Sequence, residues 1–192
     1  MWVLNKLQLG ITRLPRWEER VTIETWGKRI ERFYALRDFV ITGAAGEKLA
    51  SATTAWMILD AGSYRPQKLD QMKLDFPWRP DRSEVETSLE KTGELTGGEA
   101  RAHFHVVYSD IDVNRHATAT KYLQWILDGF SLEKLTGNEP ASAEVSFLRE
   151  ATLGDEVSVV VQPEARMDLC AVRREADHQE LCRAELAWRR AT

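Results

Sequence analysis

The sequence predicts an α+β protein made of antiparallel sheet with one well-marked helix, arranged as two like modules. Three observations predict it. Runs of alternating apolar and polar residues recur along the chain, bounded by glycine and proline. Only the stretch from Thr118 carries clear helical spacing, with Tyr122, Trp125, Ile126 and Phe130 on one face and Leu123 and Leu127 widening it. The pattern LxxAxxAW occurs twice, as Leu49, Ala52, Ala55, Trp56 and again as Leu181, Ala184, Ala187, Trp188.

In chain order, Val21, Ile23 and Thr25 alternate with Thr22, Glu24 and Trp26 as a strand does. The run Phe33 to Ile41 is rich in aromatic and branched residues, Gly43 and Gly46 mark a turn, and Leu49 to Leu59 is strand-like again. These form a meander over residues 1–60. Residues 61–100 hold Pro66, Pro77, Pro80 and four glycines among many charges, the composition of a linker. In residues 101–192 a strand through Phe104, Val106 and Tyr108 leads into the helix. Four strand-like runs follow, Ala143 to Glu150, Asp155 to Gln162, Met167 to Ala176 and Leu181 to Arg190. The segment EERVTIET at 18–25 echoes GDEVSVVV at 154–161, which strengthens the repeat.

The modules are unequal. The second has a strand and helix, about residues 102–135, before its meander, and the first has no room for either. A sheet left uncovered in this way exposes more apolar area than a monomer tolerates, roughly a few hundred Å² at most. A second copy in a homodimer, the linker folded back, or further N-terminal sequence would each cover it.

Composition excludes several function classes. Of 192 residues, 43% are hydrophobic and 29% charged, as in globular proteins, and a net charge of −4 points to neither nucleic acid nor an anionic membrane. Cys170 and Cys182 stand in strand-like contexts and read as buried thiols. With no apolar run near the roughly 20 residues of a membrane span and no cationic leader, the cytoplasm is the expected location. His103 and His105 alternate on a strand without a third ligand nearby, GAAGEK at 43–48 lacks the Ser or Thr of a phosphate loop, and no GxSxG elbow occurs.

Chemistry concentrates just ahead of the helix. Asp112, Asn114 and His116 recur at every second position, so an extended backbone would aim all three to one side. They would lie near unpaired N–H groups at the helix start, capped by Thr118 or Thr120, where developing negative charge is favoured. Spacing alone is equally that of ordinary turn and cap residues.

YSDIDVNRHATATKYLQWILD at 108–128 resembles the active-site segment of acyl-acyl-carrier-protein thioesterases, and FLRE at 147–150 resembles their second catalytic segment. Glu24-Thr25-Trp26, Arg37-Asp38-Phe39, the Ala52 to Trp56 strand and Arg65-Pro66 extend the likeness into the first half. The resemblance implies tandem hotdog domains, each an antiparallel sheet wrapped around a central helix, the first lacking its N-terminal strand and helix. It implies hydrolysis of fatty acyl thioesters on acyl carrier protein, with no cofactor or metal. It assigns Glu150 to activate water, His116 and Asn114 to hold the water or the carbonyl, and Asp112 to orient them. Where family members have Val-Asn-Asn after the histidine, this chain has Ala117-Thr118-Ala119. Where many plant members have cysteine after the glutamate it has Ala151, so the nucleophile must be water. Competing readings are an acyl-CoA thioesterase and a non-catalytic acyl-binding module or inactive truncated product.

Overall fold

A computed structural model describes residues 1–86 and 88–191, in two compact units, Met1–Glu90 and Lys91–Thr192. The first unit holds four antiparallel strands, β1 (Trp2–Ile11), β2 (Thr22–Glu31), β3 (Tyr34–Thr42) and β4 (Lys48–Ile58), in the order β2-β3-β4-β1. The glycine turn between β3 and β4 is as predicted: the Gly43 N–H donates to Glu47 O at 2.9 Å, and Gly46 takes a φ of 83° that a side chain would strain.

Strand β1 is absent from the sequence reading, for a physical reason. A bulge between Leu4 and Lys6 breaks its period of two, and the positions it buries carry Lys6 and Gln8. It lies beside β4, where the second unit places the strand that follows its helices. The first unit therefore does open on a strand. Among its described residues, what has no counterpart is the pairing of an earlier strand with a helix.

In the second unit, β5 (Glu99–His105) precedes α1 (Ala119–Asp128) and α2 (Leu132–Gly137), followed by β6 (Asn138–Phe147), β7 (Glu156–Pro163), β8 (Met167–Arg174) and β9 (Glu180–Arg190). The order is β6-β9-β8-β7-β5, antiparallel throughout. Helix α1 lies on the sheet face bearing Val159 and Phe147. Tyr122, Trp125 and Ile126 are buried there, each burial stabilising by roughly 1.5–3 kcal/mol. The Tyr122 ring meets Phe147 edge-on at 5.9 Å and Trp125 stacks on Phe104 at 6.0 Å. Leu127, expected on that face, is 37% exposed.

Thr118 is the N-cap of α1 in extended conformation, but its hydroxyl contacts Thr120 Oγ1 at 3.0 Å rather than a helix N–H. The helix stops at Gly129, whose N–H reaches back to Trp125 O and Ile126 O; a Cβ there would lie 3.0 Å from Val159. Ser131 caps the unpredicted α2 by accepting from the Lys134 N–H.

The segment expected as a linker is divided between the units. Much of the segment from 67 to 85 packs on the first sheet: Leu69 is fully buried, the Gly27 N–H donates to Pro77 O at 3.1 Å, and the Arg82 guanidinium sits 3.7 Å from the Trp26 ring centroid. Proline and glycine keep this stretch irregular without freeing it, because several of its backbone groups pair with the sheet, Gln67 N–H with Ile58 O and Arg79 N–H with Gly27 O among them. Beneath it lies a buried polar cluster. Lys28 Nζ is 3.6 Å from Asp38 Oδ1 and donates to Val85 O, while Asp38 also accepts from Thr53 Oγ1 at 2.5 Å and from the Glu84 N–H at 2.9 Å. Burial pushes the Lys28 ammonium below its usual pKa, with Asp38 opposing.

Thr53 and Ala52 point to opposite faces of β4, so residues 84 and 85 cross the face opposite Ala52. The second unit repeats this on its own sheet, where Gly93 N–H donates to Glu185 at 3.1 Å, opposite the α1 face. An earlier part of the folded-back segment reaches the Ala52 face: Arg37, paired with Thr54 on that face, sits 5.0 Å from the Phe76 ring centroid, and a Cβ on its neighbour Gly27 would meet Phe76 and Trp78.

Asp38→Ala leaves the Lys28 ammonium buried without its carboxylate, and urea unfolding should show a loss of about 3–5 kcal/mol. The double variant Lys28→Met/Asp38→Leu should lose far less. A single-variant loss below about 1 kcal/mol contradicts the cluster.

Candidate functional site

The site assembles in the second unit from two loops, one leading into α1 and one leaving β6. In the first, a 3-10 turn at Tyr108–Asp110 buries the Asp110 carboxylate, which accepts from the Val107 N–H at 3.0 Å and faces Lys121 Nζ at 2.8 Å. Burial raises the Asp110 pKa, but Lys121 and the Val107 N–H outweigh it and hold the carboxyl below its ordinary value of 3.8. The Asp110 carbonyl also accepts the Thr118 N–H at 2.9 Å, closing the loop onto the helix start.

Between these anchors the run Asp112 to His116 is a tight turn, not the extended strand that alternate spacing would need. The Asp112 N–H donates to His116 O at 2.9 Å, the Arg115 N–H donates to Asp112 O at 3.0 Å, and Arg115 takes a left-handed φ of 67°. The Asp112 carboxylate turns inward. Its Oδ1 accepts from the Asn114 N–H at 2.8 Å and, at 3.4 Å, from the His116 N–H, while its Oδ2 accepts from Asn114 Nδ2 at 3.2 Å. This is how aspartate stabilises turns, and here it braces the other two residues.

The sequence pattern places Glu150 at the end of a strand running to residue 150. The strand ends at Phe147, because the Leu148 and Arg149 N–H groups both turn to one acceptor, Leu181 O, at 2.8 and 3.1 Å, and the ladder cannot continue. The following loop is held group by group. Tyr122 Oη donates to Arg149 O at 3.3 Å and accepts from the Ala151 N–H at 2.7 Å. Arg174 Nη2 donates to Glu150 O at 2.7 Å, and the Ala117 N–H donates to Ala151 O at 2.9 Å.

These bonds lay the Glu150 loop beside His116. His116 Nε2 lies 3.2 Å from Glu150 Oε2, with the side chains 26% and 40% exposed. The structure therefore brings His116 to Glu150 and ties Asn114 to Asp112. Ala151, where a thiol is excluded by the sequence, is fully buried. The two cysteines are also buried, which pushes the Cys170 thiol up to about 12 and raises Cys182 as well.

Three contributors escape a reading by spacing. Asp110 lies inside the motif, but its pairing with Lys121 is visible only in three dimensions. Tyr122 has the spacing of an apolar helix face, which gives no hint that its hydroxyl is used. Arg174 has no sequence signal. Burial raises the Tyr122 phenol above its ordinary 10.0, so the hydroxyl stays neutral and can donate and accept at once.

Among the described residues no group of three or more His, Cys, Asp or Glu is arranged to hold a metal ion. His103 and His105 pair instead with Glu175 and Glu156, at 2.5 and 2.7 Å. An open hollow of about 430 Å³ in the first unit, walled by Trp2, Trp56, Phe76 and Trp78, contains none of the four candidate residues.

The fold is a hotdog, an antiparallel sheet curled about a helix. The acyl-ACP thioesterase of Bacteroides thetaiotaomicron shares it with a TM-score of 0.86 over 98% of this chain and 76% of its own, at 22% identity. The 12:0-ACP thioesterase of Umbellularia californica shares it at 0.79 over 100% and 76%, with 18% identity. Residues 1–73 match the acyl-ACP thioesterase N-terminal domain and residues 93–190 the C-terminal domain, so the chain belongs to the acyl-ACP thioesterase family. The chloroplastic acyl-acyl-carrier-protein hydrolase FATB1 of Cuphea viscosissima is 27% identical over 201 residues, covering 98% of this chain and 48% of that protein. The chloroplastic oleoyl-acyl carrier protein thioesterase of Coriandrum sativum is 27% identical over 184 residues, covering 90% and 50%. The chain spans about half the length of these curated relatives.

Asp110→Asn removes a carboxylate whose folded-state pKa is depressed. The stabilisation it contributes is present above 3.8 and is lost as pH falls through the lower folded value. Urea unfolding should show the variant about 1–3 kcal/mol less stable at pH 7, with the gap closing in acid. A gap that persists unchanged at pH 2 contradicts the assignment.

Proposed function

We propose that this chain hydrolyses the thioester linking a fatty acyl group to acyl carrier protein, releasing the free fatty acid by attack of activated water. The observation that carries this reading is the 3.2 Å approach of His116 to Glu150 beside the turn braced by Asp112. It supplies a base, a polar partner that steadies it, and an amide donor, with no side-chain nucleophile needed.

The steps follow from these groups. Glu150 accepts a proton from water as the water oxygen bonds to the thioester carbonyl carbon, and the carbonyl electron pair moves onto oxygen. His116 Nε2–H steadies the carboxylate. Asn114 spends one Nδ2–H on Asp112 and keeps the other for the oxyanion, a donor held in place before charge develops. When the oxyanion collapses, the carbon–sulfur bond breaks and the proton on Glu150 passes to the leaving sulfur, yielding fatty acid and free thiol.

We also read the two units as tandem copies of the hotdog. The strand order β1-β4-β3-β2 in the first corresponds to β6-β9-β8-β7 in the second, and LxxAxxAW falls on β4 and β9 alike.

Glu150→Gln and His116→Ala should each reduce hydrolysis of acyl-acyl carrier protein by roughly 10²–10⁴-fold while circular dichroism stays that of the wild type. Near-normal turnover by both variants would sink the reading. Parallel assays with acyl-CoA decide which carrier is preferred.

A further inference from the structure

We propose that Tyr122 and Arg174 are positioning residues that set the aim of the Glu150 carboxylate; the inference rests on the thioesterase reading above. Glu150 lies beyond the end of β6, where no ladder bond supports it, and its carboxylate is 40% exposed. The direction of that side chain therefore depends on how the peptide groups around it are held. Arg149 O and Ala151 N–H, on either side, both go to the Tyr122 hydroxyl, and Glu150 O goes to Arg174. Three consecutive residues are thus fixed by two side chains from different elements, one on α1 and one at the end of β8.

The Arg174 guanidinium uses all three of its nitrogens. Nε faces Asp155 Oδ2 at 3.2 Å, Nη1 faces Asp177 Oδ2 at 3.1 Å and Nη2 donates to Glu150 O at 2.7 Å. Asp155 in turn accepts from the Thr152 N–H at 2.8 Å, so the same clamp also grips the far end of the Glu150 loop. A planar fork with fixed donor directions can do this, and a lysine cannot.

Helix α1 connects the two halves of the site through adjacent residues. Lys121 holds Asp110 on the His116 side, and Tyr122 holds the Glu150 side. The helix thus braces both loops, and the Ala117 N–H bond to Ala151 O and the bridge between His116 and Thr152 join them directly. A displacement of about 1 Å between His116 and Glu150 can cost about 10²-fold in rate.

The test is a double-mutant comparison on the full chain with acyl-acyl carrier protein as substrate. Arg174→Ala and Tyr122→Phe should each lower kcat at least about tenfold with KM changed less than about twofold, as expected for residues that act on chemistry rather than binding. In a Glu150→Gln background the same substitutions should cost less than about twofold more, because a residue that acts only through Glu150 has nothing left to position. Guanidinium at low millimolar concentration should restore part of the Arg174→Ala loss. Equal fold-losses in both backgrounds, or unchanged kcat, overturn the proposal. If Arg174→Ala fails to fold, Tyr122→Phe and Arg174→Gln carry the same comparison. Full activity of Glu150→Gln alone would instead overturn the thioesterase reading.

Discussion

Burial of the Tyr122, Trp125 and Ile126 face of α1 against the second sheet is the constraint on which the site depends. It fixes the helix in depth and rotation, and so places Lys121 and Tyr122 where each reaches one of the two loops. The apolar contacts are non-directional and supply most of the energy; the Tyr122 hydroxyl supplies direction. A buried hydroxyl that satisfies both a carbonyl and an N–H removes two polar groups from the list of those burial would penalise.

The first unit obeys a different logic. Its sheet buries Lys6, Lys28 and Asp38 as well as Leu36 and Val40, and the irregular segment up to Glu90 supplies backbone carbonyls to both lysines. Buried charges paired in this way add little net stability compared with apolar packing, but leaving one unpaired is costly. Such a cluster therefore ties the segment to one place on the sheet. A composition rich in proline, glycine and charge resembles a free linker because its partners are distant in sequence.

The candidate site shows how far residue types carry and where they stop. The motifs single out Asp112, Asn114, His116 and Glu150 as candidates, and the structure brings His116 to Glu150 and ties Asn114 to Asp112. The motifs do not give that arrangement. Alternation suggested an extended run with three side chains on one side, whereas a turn closed by the Asp112 carboxylate separates their roles. Glu150 looked like a strand residue because FLRE continues an apolar run, and only the doubled acceptor at Leu181 reveals where the strand ends.

Periodicity by itself determined the α+β class, the amphipathic helix and most strands, since each follows from local spacing. Tertiary structure decided the bulged strand β1, whose buried positions are polar, and the docking of the segment from 67 to 85. It also decided the 3.2 Å meeting of His116 and Glu150, along with the hydrogen bonds from Tyr122 and Arg174 to the Glu150 loop. These share one cause: each depends on hydrogen bonds or charge pairs between residues far apart in the chain, and no local pattern records which distant group a side chain will find.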